Sequence, residues 1–429
     1  MNTISIDALY NIYLKYPNIT TDTRQIKTGD LFFALKGPSF NANQFAYKAL
    51  EQGAAYAIVD EPEFAINDNI LYTKDVLSTL QQLAKHHRKT LNIPLLAITG
   101  SNGKTTTKEL VHAVLSSQYR TYTTTGNLNN HIGIPLTLLK IKNDAEIAVV
   151  EMGANHQQEI ASYCEYTLPT LGMITNCGKA HLEGFGGIEG VIKGKGELFD
   201  YLKSNDGEAF ACSDFDYFKN MSEGIKTVHW YGTETGEVTG HVLQNEPFLR
   251  VELNKGFDYP VTLHTNLVGK YNVYNVLAAC VIGKYFKVSF DNIQKAIESY
   301  EPTNNRSQLI EKDGDRIILD AYNANPTSMQ AAIENFAAID AGEKILFLGG
   351  MMELGDESLA EHRLLLDLIA KYPWKQVVLV GGDFARLPHS FLFFEDATAA
   401  AEWWKQQQHG GNYLLVKGSR SIKMEKIVG

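Results

Sequence analysis

The sequence predicts an α/β protein built as three units, and three observations carry that expectation. The chain has 429 residues, which at roughly 150 residues per domain favours about three domains. From Pro94 onward, short apolar runs alternate with amphipathic stretches, the spacing of a parallel sheet with crossover helices, and a second such series begins at Arg306. The composition, 44% hydrophobic and 21% charged, is that of a globular protein and excludes disorder or a long coiled coil.

The elements follow in chain order. Over 1–93, the runs DLFFALKG and AAYAIVD read as strands, and NQFAYKALEQGA and VLSTLQQLAKHHRKTL as helices, the second ending before Pro94. LLAITG, TYTTT, AEIAVVEMG and LPTLGMITN read as strands of one parallel sheet, with KTTTKELVHAVLSS as a helix after the first. Between about 205 and 265, the stretches KTVHWYG, EVTGHVLQ, FLRVELN and YPVTLHT read as an antiparallel appendage on that sheet. Two helices, KYNVYNVLAACVIGKYF and FDNIQKAIESY, precede Pro302 and a Thr-Asn-Asn linker. The strands RIILDAY, KILFLGG, QVVLVGG and NYLLVKGS then form the second α/β series, and Trp403 and Trp404 read as helix packing. Unit boundaries fall near 93 and 303.

Charge narrows the function classes. With 39 Lys+Arg against 49 Asp+Glu the net charge is −10, and no run of five or six basic residues is present, which argues against a nucleic-acid or anionic-membrane surface. No signal-peptide pattern opens the chain and no run approaches 18 apolar residues, so the expectation is a cytoplasmic protein without membrane insertion. The cysteines, Cys164, Cys177, Cys212 and Cys280, lack Cys-x-x-Cys spacing and read as reduced, mostly buried thiols.

The strongest chemical signal is Gly100-Ser101-Asn102-Gly103-Lys104-Thr105-Thr106, lying after an apolar strand and before a helix. Glycines let backbone N–H groups approach phosphate, the helix start adds positive potential, Lys104 brings a charge, and Thr105 offers an oxygen to Mg²⁺. The loop is shorter than the usual phosphate loop, since Gly100 and Gly103 are three apart. Glu151 closes a buried strand at the sheet's carboxyl edge, a place for a metal carboxylate, and His181 follows the LGMITN strand at the same edge. Taken alone, His181 reads as a loop histidine and Lys195 as a solvated helix lysine.

Taken together, TGSNGKTTTKE, TTGNLNNHIGIPLTL, EMGANHQQEI, TNCGKAHLEGFGGIEGVIKGKGELF, LVGKYNVYNVLAA and DAYNANPTSM, in this order, resemble the Mur ligase family, the ATP-dependent amide-bond synthetases of peptidoglycan precursor assembly. The resemblance runs from Thr23-Arg24 to Lys417-Gly418-Ser419-Arg420. It implies the three-domain Mur ligase architecture: an N-terminal UDP-binding α/β domain over 1–93, a central P-loop ATPase domain with its appendage over 94–303, and a C-terminal Rossmann-like α/β domain over 304–429 that closes on ATP. The Tyr322-Asn323-Ala324-Asn325-Pro326 and Gly126-Asn127-Leu128-Asn129-Asn130 strings look like the member acting last in the cytoplasm, which adds D-Ala-D-Ala to UDP-MurNAc-tripeptide. The resemblance also suggests a monomer.

The family's chemistry brings a carboxylate and a γ-phosphate together, so the site needs concentrated positive charge. By resemblance, Lys104 and one or two Mg²⁺ supply it; Thr105 and Glu151 hold one Mg²⁺, and His181 with a CO₂-derived carbamate on Lys195 serves the second. Lys195 is taken rather than Lys193 because Lys-Gly-Glu-Leu-Phe matches the family's stretch. Asn272 and Asn275 resemble the family's adenine-side and interdomain asparagines, and Arg306 and Asp320 meet ATP on closure; Asp320 is a single acid where the family often has two. Thr23, Arg24 and Lys36 fall on the UDP side, with Asn41-Ala42-Asn43 standing where the family usually shows Asp-Gly-His. Asn127, Asn130, Tyr322, Asn323, Asn325, Lys417 and Arg420 complete the implied substrate contacts, and Gly350 stands where an Asp is common. A sister ligase, a folylpolyglutamate synthetase and a partner-driven P-loop ATPase are the competing readings, separated by which substrates ATP turnover requires.

Overall fold

The computed structural model describes residues 3–258, 260–303 and 305–429. Met1, Asn2, Tyr259 and Asn304 lie outside the described residues, and with them the first residues of the expected first and third domains and the first residue of YPVTLHT. The described chain forms two compact units.

One unit gathers the chain up to Ala97 with Tyr119–Gly153 and Glu159–Leu171. Its four short strands, Ile19–Thr20, Leu31–Phe33, Tyr56–Val59 and Ile70–Tyr72, pair parallel in that order. The apolar run Leu31–Phe33 is buried throughout, as a strand covered on both faces must be. Phe32, Ala57 and Val59 pack with Ala42, Ala46 and Ala49 in the core below. The helix Val76–Thr90 starts where Asp75 accepts the Ser78 N–H at 2.5 Å, a side-chain N-cap. At its other end Arg88, buried, donates to the carbonyls of Leu91, Ile93, Thr167 and Leu168. Thr121–Thr123 pairs parallel with the fully buried Ile147–Glu151.

The other unit comprises Ile98–Gln118, Ala154–Gln158 and Gly172–Gly429. The strands Leu171–Ile174, Glu208–Cys212, Val228–Gly232, Val238–Gln244, Arg250–Lys255 and Val261–His264 are neighbours in that order. The last three pair antiparallel. The stretch KTVHWYG, expected in the antiparallel appendage, instead pairs parallel with Glu208–Cys212 and, over two residues, with Val238–Gln244. The physical reason is the link: the Tyr217–Met221 helix between Cys212 and Val228 gives the chain the crossover that a parallel neighbour needs. The helix Val273–Tyr285 is buried almost throughout, which accounts for its apolar residues on every face.

A six-stranded sheet follows, in the order Gln308–Lys312, Asp315–Asp320, Asn412–Lys417, Glu343–Gly349, Gln376–Val380, Leu392–Phe394. All pairs are parallel except the first, an antiparallel edge strand absent from the sequence reading. Trp404 is buried against Phe347, and Trp403 packs on the same core, as helix packing requires. Loops leaving the carboxyl ends of three central strands carry Tyr322–Asn325, Met351–Glu353 and Ser419–Arg420, the edge at which parallel α/β sheets bind ligands. Among the described residues, no helix is long and apolar enough to cross a membrane. All four cysteines are free and buried, and burial pushes the Cys177 and Cys212 thiols up to about 12.

Candidate functional site

The phosphate loop is shaped by two glycines. Gly100 has φ +139, and a Cβ there would fall 2.0 Å from Thr175 Oγ1; Gly103 has φ +79, and a Cβ would fall 2.7 Å from Asn275 Oδ1. Both are conformations and spaces that only glycine fills without strain. Gly103 begins the helix Lys104–Ser116 with no side-chain cap, so the positive end of that helix faces the loop. Lys104 Nζ donates to the carbonyls of Gly100 at 2.7 Å and Ser101 at 3.1 Å. Ser101 Oγ donates to Gly178 O, and Asn176 Oδ1 accepts the Asn102 N–H. The loop is therefore clamped by the 175–178 segment, to which the sequence reading gave no site role.

Asn272 and Asn275 are both buried. Asn275 Nδ2 donates to Asn272 Oδ1 at 2.7 Å, and Thr107 Oγ1 donates to Asn275 Oδ1 at 3.0 Å. A single amide chain thus ties Val268, through Asn272, to the first turns of the phosphate-loop helix.

The third segment meets the same loop. Asn325 caps the helix Pro326–Ala338 in a capping box with Ser328, and its Nδ2 donates to Asn102 Oδ1 at 2.8 Å. Tyr322 meets two guanidinium groups, Arg306 at 3.6 Å and Arg420 at 5.2 Å from its ring centroid, within cation–π range. Lys417, buried, contacts Asp320 Oδ2 at 2.5 Å and donates to Asn323 O at 3.3 Å, while Asn323 itself is exposed. Asp320 Oδ1 also accepts the Ser307 N–H. Lys417 and Asp320 are thus brought together as a pair.

His181 stands in left-handed backbone, φ +53, and its Nδ1 is buried without an aligned hydrogen bond while lying 2.5 Å from Glu353 Oε2. That contact holds the Glu353 carboxyl below its ordinary range. Lys195 is 1% exposed, donates to Ala154 O at 3.0 Å and lies 4.8 Å over the Phe185 ring, whereas Lys193 is exposed. A solvated helix lysine is therefore not what Lys195 is.

In the other unit, Glu151 is 1% exposed at the end of its strand, where Asn129 Nδ2 donates to Oε1 at 2.7 Å and Thr124 Oγ1 accepts its N–H. Asn129 was missed because its neighbours Asn127 and Asn130 share its residue type; both are exposed, and Asn130 Oδ1 caps the Ile132 and Gly133 N–H groups. Arg24, with an 86% exposed side chain, pairs with Asp22, lowering that carboxyl to about 2. Thr23 shares this short turn. Lys36 lies 2.8 Å from Glu61 and 2.9 Å from Asp60, which push it up to about 12. Asn41 and Asn43 hold the same two carboxylates.

Nucleotide-bound Mg²⁺ takes few protein ligands, because phosphates and water fill the remaining positions. The donors present fit that use: a first-turn Thr105 hydroxyl, the His181 imidazole, whose Nδ1 faces Glu353 and so leaves Nε2 for a metal, and in its own unit the buried Glu151 carboxylate. Among the described residues no group of three or more His, Cys, Asp or Glu is arranged to hold a metal ion by itself, so no closed all-protein cage is formed among them.

Residues 98–283 match the Mur ligase middle domain and residues 305–420 the Mur ligase, glutamate ligase domain. The UDP-N-acetylmuramoyl-tripeptide--D-alanyl-D-alanine ligase of Bacillus subtilis (strain 168) is 35% identical, covering 96% of this chain and 92% of its own. Its counterpart in Escherichia coli (strain K12) is 34% identical with the same coverage. Two solved structures are similar: MurF from Acinetobacter baumannii, with TM-score 0.86, 31% identity and coverage of 96% and 92%, and MurF ligase from Thermotoga maritima in complex with ADP, with TM-score 0.87, 25% identity and coverage of 97% for both chains. The chain belongs to the Mur ligase family.

Proposed function

We propose that this chain is an ATP-dependent amide ligase that joins D-alanyl-D-alanine to UDP-N-acetylmuramoyl-tripeptide, yielding the pentapeptide precursor of peptidoglycan, ADP and phosphate. The observation that carries the proposal is 35% identity, across 96% of the chain, to a relative bearing that name. The glycine-shaped phosphate loop supports the ATP part independently.

The reaction has two steps. A carboxylate oxygen of the tripeptide attacks the γ-phosphorus and ADP leaves; the dipeptide amine then adds to the acyl carbon, loses a proton, and the tetrahedral intermediate expels phosphate. Gly100, Ser101, Asn102, Gly103, Lys104, Thr105 and Thr106 cradle the phosphates, with Lys104 offsetting the charge of the γ-phosphate. Asn272 and Asn275 lie on the adenine side, and Arg306 and Asp320 border the nucleotide from the third domain. Thr105 and Glu151, and His181 with Lys195, are the residues to hold Mg²⁺. When bound, the metal neutralises the two reacting anions so that they can meet. A carbamate ligand on Lys195, which is buried beside Ala154 O, forms when its neutral amine adds to CO₂ and releases a proton.

The same reading divides the chain at 93 and 303 into UDP-binding, ATP-binding and dipeptide-binding domains. Thr23, Arg24 and Lys36 serve the UDP side, Asn127 and Asn130 the peptide, and Tyr322, Asn323, Asn325, Lys417 and Arg420 the incoming dipeptide. A cytoplasmic monomer completes the proposal. The test is phosphate release from MgATP in a matrix of tripeptides, with L-lysine or meso-diaminopimelate at the third position, each with and without D-Ala-D-Ala. Release that needs both substrates, with pentapeptide found by mass, is expected. Release indifferent to both identifies a partner-driven ATPase instead.

A further inference from the structure

Two residues in left-handed backbone meet where the 179–183 loop touches the third segment. His181 has φ +53 and Glu353 φ +63, conformations that side chains other than glycine, asparagine or aspartate adopt at a cost in strain. The surrounding contacts hold both in place: the Glu183 N–H donates to Glu353 O at 3.3 Å, the Lys179 N–H to Thr327 Oγ1 at 3.0 Å, and Lys179 Nζ meets the buried Glu361 carboxylate at 2.5 Å. The result is one carboxylate oxygen 2.5 Å from a buried imidazole Nδ1.

A neutral imidazole has one N–H and one lone pair, and its partner decides which nitrogen carries which. A carboxylate at Nδ1 selects the N–H there and leaves the lone pair on Nε2. From this geometry we propose that Glu353 is a positioning residue for His181, fixing the tautomer in which Nε2 is the donor to Mg²⁺. Because Glu353 comes from the third segment and His181 from the middle one, the metal-binding histidine is set only when those segments are docked. The metal role rests on the ligase reading above; the tautomer does not.

The test uses full-length wild type, Glu353→Gln and Glu353→Gly, the glycine variant relieving the strained backbone while removing the carboxylate. Nitrogen-15 spectra of histidine-labelled, metal-free protein, with His181 assigned by its loss in His181→Asn, should show wild-type His181 protonated at Nδ1 with a free Nε2. In Glu353→Gly that preference should be lost, and in Glu353→Gln, whose amide oxygen is a weaker acceptor, it should be reduced. The Mg²⁺ concentration giving half-maximal pentapeptide formation should rise about tenfold, with a smaller fall in kcat and an unchanged KM for the tripeptide. Unaltered His181 signals together with unaltered Mg²⁺ dependence in both folded variants overturn the proposal. A wild type that makes no pentapeptide overturns the ligase reading and the metal role with it, while the spectra still decide the tautomer.

Discussion

Asn325 donates its side-chain amide to Asn102 Oδ1 at 2.8 Å while its own Oδ1 accepts the Ser328 N–H at 2.9 Å. One side chain thus starts the helix Pro326–Ala338 and touches the phosphate loop. Asn325→Ala should cost about 1 kcal/mol through the lost cap alone. It should also weaken ADP binding, since Asn102 loses the partner that holds its amide; urea unfolding and calorimetric titration of ADP measure the two effects separately.

Gly103→Ala should be folded and deficient in nucleotide binding. Alanine at φ +79 costs about 1–2 kcal/mol, and its Cβ forces Asn275 Oδ1 away from Thr107. An ADP affinity at least about tenfold weaker is the expected result, measured on a variant whose circular dichroism matches wild type.

The Lys417–Asp320 pair is asymmetric, with side chains 3% and 17% exposed. Removing one partner of a buried pair costs about 3–5 kcal/mol because the other is stranded. Asp320→Ala strands a lysine that water cannot reach, whereas Lys417→Ala leaves a carboxylate that water partly reaches. Asp320→Ala should therefore lower the urea midpoint more than Lys417→Ala, and the double variant should recover part of the loss.

Acid stability should depend on Asp315. Burial alone would raise its pKa, but donation from the Asn412 backbone and side chain, His409 and the Gly410 N–H outweighs that and lowers it from 3.8. The folded state thus binds this proton more weakly than the unfolded state. Its contribution is complete only well above the unfolded value of 3.8 and is lost as pH falls through the folded value. Asp315→Asn should be less stable at pH 7 and show a flatter stability profile below pH 4 in denaturant titrations.

Lys195→Arg should abolish ligation, because a guanidinium cannot form the carbamate and stays charged in a buried position. Incubation with ¹³C-bicarbonate should give wild type a carbamate carbon signal that Lys195→Arg lacks. An active arginine variant would remove Lys195 from the mechanism.

The parts legible in the sequence were those with local signatures. The phosphate loop was readable because glycines, Lys104 and Thr105 lie within six residues, and Lys195 was distinguished from Lys193 by its Lys-Gly-Glu-Leu-Phe context. In the structure Lys195 is buried and Lys193 exposed. Features set by distant partners were not legible. Val228–Gly232 alternates like an antiparallel strand, yet its pairing direction is decided by the helical crossover before it. Gln308–Lys312 has no apolar run, as befits a half-exposed edge strand. Glu353 belongs to the site only because its loop docks beside His181, 172 positions earlier, and no spacing rule covers that separation.

The most direct test of the central claim is oxygen transfer from substrate to phosphate. With UDP-N-acetylmuramoyl-tripeptide labelled by ¹⁸O in its terminal carboxylate, an acyl phosphate route carries the bridging oxygen into the leaving group. The account predicts one ¹⁸O in each phosphate released, in step with pentapeptide formed. Phosphate released without label would contradict it and place ATP hydrolysis outside amide synthesis.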